Sequence, residues 1–403
     1  MLFALLLATS EPPATANHLD LGKQFFCAGQ YQTACQYLEA WLEQAGAQHP
    51  SLLAAKAYLG ATFDELSRHE EAKTILEWCV ENYRDKYPKD TMGLAFASMH
   101  LGKVLSQIGL YDIATEHLEK SIRLYKACGT NQVSNLIKAN TWLAETYMYR
   151  GVYRQAESAF NAMIDQHEAG TTQVLWTKLR LARLYMFMGN YEGAKVIFEE
   201  GIPSLRAETN KDKLGWNLFY WGDVYRSLGS FELAEKTMLE GFAAFTACGY
   251  EPDHQITQWG QGYFGRLLCD RGQYADAQPI LEESLRVHET KYGANSKRNV
   301  FIMQALANTY ANLGEYVKAE NLLIMGLTAY KNQFGDQHTE YALVLGDYGR
   351  LAYLQKNYAS AKTRLAKALS VFRSAEHPEA TRCAKYLQEA EGGAMGQTVQ
   401  PAA

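Results

Sequence analysis

The stretch Gly272-Gln273-Tyr274-Ala275-Asp276-Ala277 decides the fold, because its glycine, its aromatic residue and its last alanine return along almost the whole 403-residue chain. The equivalent alanines are Ala34, Ala72, Ala114, Ala156, Ala194, Ala234, Ala277, Ala319 and Ala361. Successive members of this series are about 38 to 43 residues apart. A repeat of this length indicates stacked supersecondary units that each pack on their neighbours, rather than one closed globule.

Each repeat carries the signals of two helices joined by a short turn. A glycine lies five residues before the alanine in most repeats, and glycine readily takes the left-handed conformation that ends a helix. A large residue stands thirteen positions before the alanine, and another stands four positions after it. At helical spacing these residues fall on faces that can pack together. The pattern therefore predicts an all-α protein built from helix-turn-helix units.

The repeat resembles the tetratricopeptide repeat family, and within it the longer-period repeats of kinesin light chains and their bacterial relatives. The similarity covers nearly the whole chain, and Gly335-Asp-Gln-His338 and Glu376-His377-Pro378 fall in the loops between units. Two repeats depart from the pattern, because Ser67 and Lys356 stand where the glycine is expected. The resemblance implies a right-handed α-solenoid superhelix of about nine units, with the first helix of each unit on the concave surface.

Four segments are expected along the chain. Residues 17–374 form the repeat array, residues 375–390 a C-terminal capping helix and residues 391–403 a disordered tail of small residues. For residues 1–16 two interpretations remain open: a partial capping helix followed by a loop, or a short signal peptide. The first predicts a cytoplasmic protein and the second an exported one.

Composition argues against several classes of protein. The formal net charge is -5 and 21% of residues are charged, which does not favour nucleic-acid binding. No apolar run approaches the length of a membrane span. The seven cysteines are scattered and are predicted to be reduced, partly buried thiols. Without the spacings typical of zinc ligands, we expect no metal and no cofactor.

One motif has the glycine spacing of a dinucleotide-binding site. Gly260-Gln-Gly262-Tyr-Phe-Gly265 fits the dinucleotide fingerprint, which works only where a strand turns into a helix. Here the three glycines fall inside the first helix of the seventh unit, so we do not expect a dinucleotide site. We also find no nucleophile elbow and no phosphate loop. The sequence thus predicts no catalytic residues and a protein that is not an enzyme.

The candidate binding residues lie on first helices, opposite the predicted core stripe. The same helical positions recur from the fifth unit to the ninth, and they carry three tryptophans, several arginines and tyrosines. The candidates are Trp176, Arg180, Arg183, Trp216, Phe219, Tyr220, Arg226, Trp259, Tyr263, Arg266, Asn308 and Arg350. Aromatic walls supply contact area and arginine pairs with carboxylates, so we predict a peptide or protein partner with acidic and apolar residues.

Structural explanations for the same residues stay open. The tryptophans could pack under the preceding unit, and the arginines could form ion pairs with Asp223 or Glu145 of a neighbouring unit. With a groove of this kind, the chain would be a non-enzymatic scaffold or adaptor that holds an extended peptide segment. The alternative is a regulator whose superhelix changes pitch when a peptide or small molecule binds. The oligomeric state is left open.

Overall fold

The computed structural model describes residues 18–46, 49–86, 90–129, 132–166 and 171–398. Within these residues the chain forms nineteen α-helices and a short 3-10 helix, and no strand. It divides into two compact units, residues 1–147 and residues 148–403. The prediction of an all-α solenoid of about nine helix pairs is confirmed. The two interpretations of residues 1–16 lie outside the described residues.

Unit 1 contains three helix pairs and most of a seventh helix. The helices are α1 (His18–Cys27), α2 (Tyr31–Gln44), α3 (Leu52–Glu65), α4 (His69–Lys86), α5 (Thr91–Gln107), α6 (Tyr111–Ala127) and α7 (Val133–Arg150), whose last residues belong to unit 2.

Unit 2 contains the remaining helices. They are α8 (Tyr153–Asp165), α9 (Thr172–Phe187), α10 (Tyr191–Ala207), α11 (Asp212–Ser227), α12 (Phe231–Ala247), α13 (Gln255–Asp270), α14 (Tyr274–Tyr292), the 3-10 helix Lys297–Asn299, α15 (Val300–Asn312), α16 (Tyr316–Phe334), α17 (Thr339–Leu354), α18 (Tyr358–Ser374) and α19 (Glu379–Thr398). Helix α19 continues past residue 390, where a disordered tail was expected, and ends at Thr398.

The turn inside each pair keeps one backbone conformation even where the glycine is missing. Gly272 has a φ of 77°, in the left-handed region. Ser67 and Lys356, which replace the glycine in the two exceptional repeats, have φ values of 62° and 60°. A side chain makes this conformation unfavourable. These two repeats therefore keep the turn at a cost in stability.

Small residues let the two helices of a pair approach closely. All nine repeat alanines are fully buried. On the facing helix, a Cβ added to Gly265 would lie 2.5 Å from the Leu281 side chain, and one added to Gly60 would lie 2.7 Å from Leu76. Gly260 and Gly262 likewise pack against Phe219 and Phe301. The glycines of the apparent dinucleotide fingerprint thus lie within a helix and pack against neighbouring side chains.

Tyrosines join successive pairs. A tyrosine on a first helix donates a hydrogen bond to a glutamate on the second helix of the preceding pair, for example Tyr348 to Glu320 at 2.6 Å and Tyr310 to Glu282 at 2.8 Å. The same bond joins Tyr185 to Glu157 at 2.9 Å. Because the bond recurs, it helps to fix the angle at which one unit stacks on the next.

Histidines cap several helices at their N-termini. The Nδ1 atoms of His49, His254, His338 and His377 each accept a hydrogen bond from the backbone N–H two residues later, at 3.1 to 3.2 Å. This bond satisfies one of the free donors at the start of a helix. It also requires that Nδ1 carry no proton.

The turns that precede α8 and α10 meet the segments that precede α17 and α19 at a contact that we call the seam. The Tyr153 hydroxyl hydrogen-bonds the Thr339 hydroxyl, and the Tyr153 ring lies 6.2 Å from the His338 ring. The Pro378 ring lies so close to Gly189 that a Cβ there would collide with it. The helix pairs of unit 2 therefore complete one turn and enclose an interior.

Candidate ligand chamber

Unit 2 contains a partly open cavity of about 640 Å³, which we call the chamber. The first helices of successive pairs, α9, α11, α13, α15 and α17, line it together with α19. This volume lies within the range of small-ligand sites in proteins. The concave wall that the resemblance implied is present in unit 2.

Half of the predicted site residues line this chamber. They are Arg183, Tyr220, Arg226, Tyr263, Arg266 and Asn308. The chamber wall does not include the other six, which are Trp176, Arg180, Trp216, Phe219, Trp259 and Arg350. The helical positions shared by Arg183, Arg266 and Asn308 thus predict the wall better than the tryptophan positions do.

The prediction for Phe219 is wrong, because this side chain is fully buried in the core. Its ring stacks on Phe245 with centroids 5.4 Å apart. Phe219 adjoins Tyr220 in sequence, but neighbouring residues on a helix differ by about 100° in direction. Tyr220 therefore faces the chamber while Phe219 faces α12.

The tryptophans pack mainly on protein. The Trp216 and Trp259 rings lie 4.2 Å apart, and Trp259 also contacts Tyr263 at 4.6 Å. The ammonium of Lys213 lies 4.4 Å from the centre of the Trp176 ring. The three residues remain partly exposed, but none of them lines the chamber.

Arg226 is held by two carboxylates. Its Nε donates to Asp223 at 2.6 Å, and its guanidinium also pairs with Asp270. Only 12% of the Arg226 side chain and 8% of the Asp223 side chain are exposed. Burial alone would raise the pKa of Asp223, but Arg226 and Arg266 outweigh it and the pKa is lowered. Arg226 therefore lines the chamber with its guanidinium already engaged by two carboxylates of the wall.

Arg266 has capacity left for a ligand. It lies 3.6 Å from Asp223, its one ion pair among the described residues, and 31% of its side chain is exposed. Its guanidinium lies 5.9 Å from the centre of the Tyr263 ring. Nearby, Arg183 lies 5.1 Å from the Tyr220 ring and donates to the Tyr149 hydroxyl at 3.4 Å. Two arginines and two tyrosines therefore form one patch of the chamber wall.

Asn308 and Arg350 bind each other through a hydrogen bond from the guanidinium to the amide oxygen. Arg350 lines a much smaller pocket against α18 and α19. Arg180 donates to the backbone carbonyl of Trp176 at 3.4 Å. Of these three residues only Asn308 reaches the chamber, and its oxygen already accepts a bond.

Several charged and polar residues of the chamber wall were not among the predicted site residues. Arg382 donates to Glu379 at 2.6 Å and lies 3.6 Å from Asp347, which also accepts from Gln304 at 3.0 Å. The missed charged and polar residues include Asp270, Gln304, Tyr330, Glu340, Asp347, Glu379 and Arg382. Asp347 could have been found, since it takes the position of Tyr220 and Tyr263 in the ninth repeat. Glu379 and Arg382 could not, because α19 was interpreted as a polar cap.

Glu340 is a wall carboxyl group whose pKa is raised by its surroundings. Burial raises its pKa, and the nearby Asp223 acts in the same direction. The Tyr330 hydroxyl, which hydrogen-bonds Glu340, and the charge of Arg266 oppose this shift without cancelling it. With these carboxylates the chamber wall carries both acidic and basic side chains.

Comparison with known proteins identifies the family. The Tetratricopeptide repeat family matches residues 13–85, 257–332 and 299–374 with one sequence model and residues 177–202 with another, together more than half of the chain. The chain belongs to the tetratricopeptide repeat family. Its repeats are of the kinesin light chain-like kind, as predicted. Repeats of this family support a role as a protein-interaction scaffold.

Two curated relatives are similar over parts of their length. The Arabidopsis thaliana Protein KINESIN LIGHT CHAIN-RELATED 2 is 23% identical over 333 residues, covering 78% of this chain and 49% of that protein. The Drosophila melanogaster Tetratricopeptide repeat protein 19 homolog, mitochondrial, is 25% identical over 127 residues, 31% of this chain and 34% of that one. The chain thus spans half or less of the length of these relatives.

A solved structure shares the fold over most of the chain. A Rap protein complexed with Competence and Sporulation Factor matches with a TM-score of 0.66 at 12% identity, covering 90% of this chain and 98% of that one. Among the described residues, no helix is long and apolar enough to cross a membrane. No group of histidine, cysteine or acidic residues in this part of the chain could hold a metal ion.

Proposed function

We propose that this protein is a non-enzymatic scaffold that holds an extended peptide segment of a partner protein in the chamber of unit 2. The observation that carries the proposal is the patch of Arg183, Arg266, Tyr220 and Tyr263 on the wall of a preformed 640 Å³ cavity. A preformed wall lowers the entropy lost on binding, and a few central anchors supply most of the affinity.

The charges of the wall limit which peptides fit. Arg266 is paired with Asp223 only at 3.6 Å, so a ligand carboxylate can make a shorter, charge-assisted bond with it. Five acidic residues and four arginines share the chamber wall, however, and a strongly acidic segment would be repelled. We therefore propose a segment with one carboxylate near Arg266 and apolar side chains against the tyrosines and Phe301.

The shared fold is compatible with this proposal. The Rap protein of similar fold is complexed with Competence and Sporulation Factor, so a solenoid of this extent can form a complex with a separate factor. Identification of the bound peptide will distinguish an adaptor that holds a cargo protein from a regulator that binds a signalling peptide.

The experiment is selection of peptides from a random display library on the purified full chain, followed by affinity measurement of the enriched peptides. We expect peptides with one acidic residue flanked by apolar residues. The double variant Arg183→Gln/Arg266→Gln should bind them at least tenfold more weakly, because it keeps polar side chains but loses both charges.

Arg286→Gln is the matched control, since Arg286 is 65% exposed, pairs with Glu283 and does not line the chamber. This control should bind the selected peptides with the same affinity as the unmodified chain. Peptides that bind the chamber variant and the unmodified chain equally well would place the site elsewhere.

A further inference from the structure

The residues of the seam and those of the chamber alternate along the same two segments. Thr339 bonds Tyr153 across the seam, whereas the next residue, Glu340, lines the chamber. Pro378 packs on Gly189 at the seam, whereas His377 and Glu379 line the chamber. Separation at the seam would therefore move part of the chamber wall.

Two of the four capping histidines lie at this seam. The His338 ring approaches Gly151, where an added Cβ would be 3.2 Å from Cδ2, and the His377 ring approaches Gly189, where it would be 3.3 Å from Nε2. His338 is 4% exposed and His377 is 3% exposed. Each ring thus caps the helix that follows it and also contacts the opposite end of unit 2.

We propose that the seam is a pH-sensitive clasp, in which protonation of His338 and His377 separates the two ends of unit 2 and opens the chamber. A proton on Nδ1 would face the backbone N–H of Glu340 or Glu379, so the cap bond would be lost. It would also place a positive charge in a buried contact. The regulatory meaning of the clasp rests on the proposed ligand-binding function.

The groups around His338 give the charged ring little compensation. Phe334 stacks on it at 4.5 Å, and the ammonium of Lys297 lies 5.9 Å from the Phe334 ring. Titratable and charged groups also come from α7, α8 and α17, namely Arg150, Tyr153, Arg154 and Glu340. Burial lowers the pKa of His338 to about 4, although the carbonyls of Met148 and Tyr149 oppose the shift.

The surroundings of His377 also disfavour a charged ring. Its ring stacks on Phe372 at 5.3 Å. Burial lowers its pKa to about 4, and the positive charge of Arg382 adds to the effect. The other titratable and charged groups nearby are Glu376 and Glu379 on its own segment and Tyr191 of α10.

The pKa values of His338 and His377 set how strongly the opening of the seam should depend on pH. If opening returns each ring to an ordinary pKa near 6.5, the opening equilibrium rises about 30-fold per histidine between pH 7.5 and pH 5. Two independent rings would multiply to roughly 900-fold. Backbone amides at the seam should then exchange with solvent faster by a similar factor, while amides within α11 and α13 stay protected.

The test is hydrogen exchange of the full chain followed by mass spectrometry at pH 7.5 and pH 5, corrected for intrinsic exchange rates. The variant His338→Asn/His377→Asn keeps an N-cap acceptor but cannot titrate in this range. We expect its seam segments to keep their protection at pH 5, with less than a threefold change. The control His254→Asn replaces the same cap away from the seam and should respond to pH as the unmodified chain does.

The clasp is refuted if the unmodified seam stays protected at pH 5. It is equally refuted if the seam of the asparagine variant loses as much protection, because the response would then belong to another group such as Glu340. The measurement needs no ligand, so a failed clasp leaves the proposed function untouched. A failed peptide selection, in turn, leaves the exchange result valid as a property of unit 2.

Discussion

Replacement of Arg226 by methionine is predicted to destabilise unit 2 strongly. The change removes the hydrogen-bonded partner of Asp223, whose side chain is only 8% exposed. Loss of one partner from a buried ion pair costs about 3 to 5 kcal/mol, because the other charge stays buried without compensation. Two features favour the lower end: Arg266 remains 3.6 Å from Asp223, and Asp270 is 36% exposed and can be hydrated.

We therefore expect a loss of about 3 kcal/mol in the free energy of unfolding at pH 7. The assay is urea unfolding followed by circular dichroism at 222 nm. The double variant Arg226→Met/Asp223→Asn should be more stable than the single variant, because it no longer buries an unpaired charge. The control is Arg266→Met. Arg266 is more exposed than Arg226 and makes no hydrogen bond to the described residues, so its loss should lower the free energy of unfolding by less than about 1 kcal/mol.

The pH dependence gives an independent check on this reasoning. In the unmodified chain the lowered pKa of Asp223 contributes stability that is present above its ordinary value and is lost as the pH falls. Without Arg226, burial should raise that pKa, so the penalty should shrink between pH 7 and pH 4.5. A single variant as stable as the Arg266 control, or a penalty that does not change with pH, would refute a structural role for Arg226.

Three further changes test other parts of the structure. Burial lowers the pKa of His288, His338 and His377 to about 4, so the unfolded chain binds more protons than the folded chain below about pH 6.5. The free energy of unfolding should fall by up to about 3 kcal/mol per histidine as the pH drops from about 6.5 to 4, and the melting temperature should fall with it; a melting temperature that is constant over this range contradicts it. Lys356→Gly should raise the free energy of unfolding by about 1 kcal/mol, because Lys356 has a φ of 60°; denaturant titration of the variant checks this, and a loss of stability would count against the turn assignment. Ala277→Leu should cost about 1 to 3 kcal/mol by overpacking a fully buried position, and an unchanged melting curve would contradict the repeat register.

The repeat was predictable because the residues that define each unit lie close together in the sequence. A period of about forty residues, a left-handed turn and small residues opposite large ones are all recorded at fixed spacing in the sequence. The turn at Lys356 keeps its place although the glycine is absent, since the buried Ala361 and Leu365 of α18 still pack against α17, where Gly349 faces Leu365.

The chamber was only partly predictable because its wall depends on contacts far apart in sequence. Arg183 and Arg266 were found from their shared helical position, and Asp347 could have been found in the same way. The seam between Tyr153 and Thr339 joins residues 186 apart, and no local pattern records it. Phe219 was assigned to the groove because its neighbour Tyr220 belongs there, which ignored the rotation between adjacent residues of a helix.

The most direct test of the central claim is hydrogen exchange of the full chain with and without a selected peptide that carries one carboxylate and flanking apolar residues. The chamber account predicts slower exchange in the chamber-lining helices α9, α11, α13, α15 and α17, with unit 1 and the outer helices unchanged. Slower exchange confined to unit 1 or to the second helices of the pairs would contradict it.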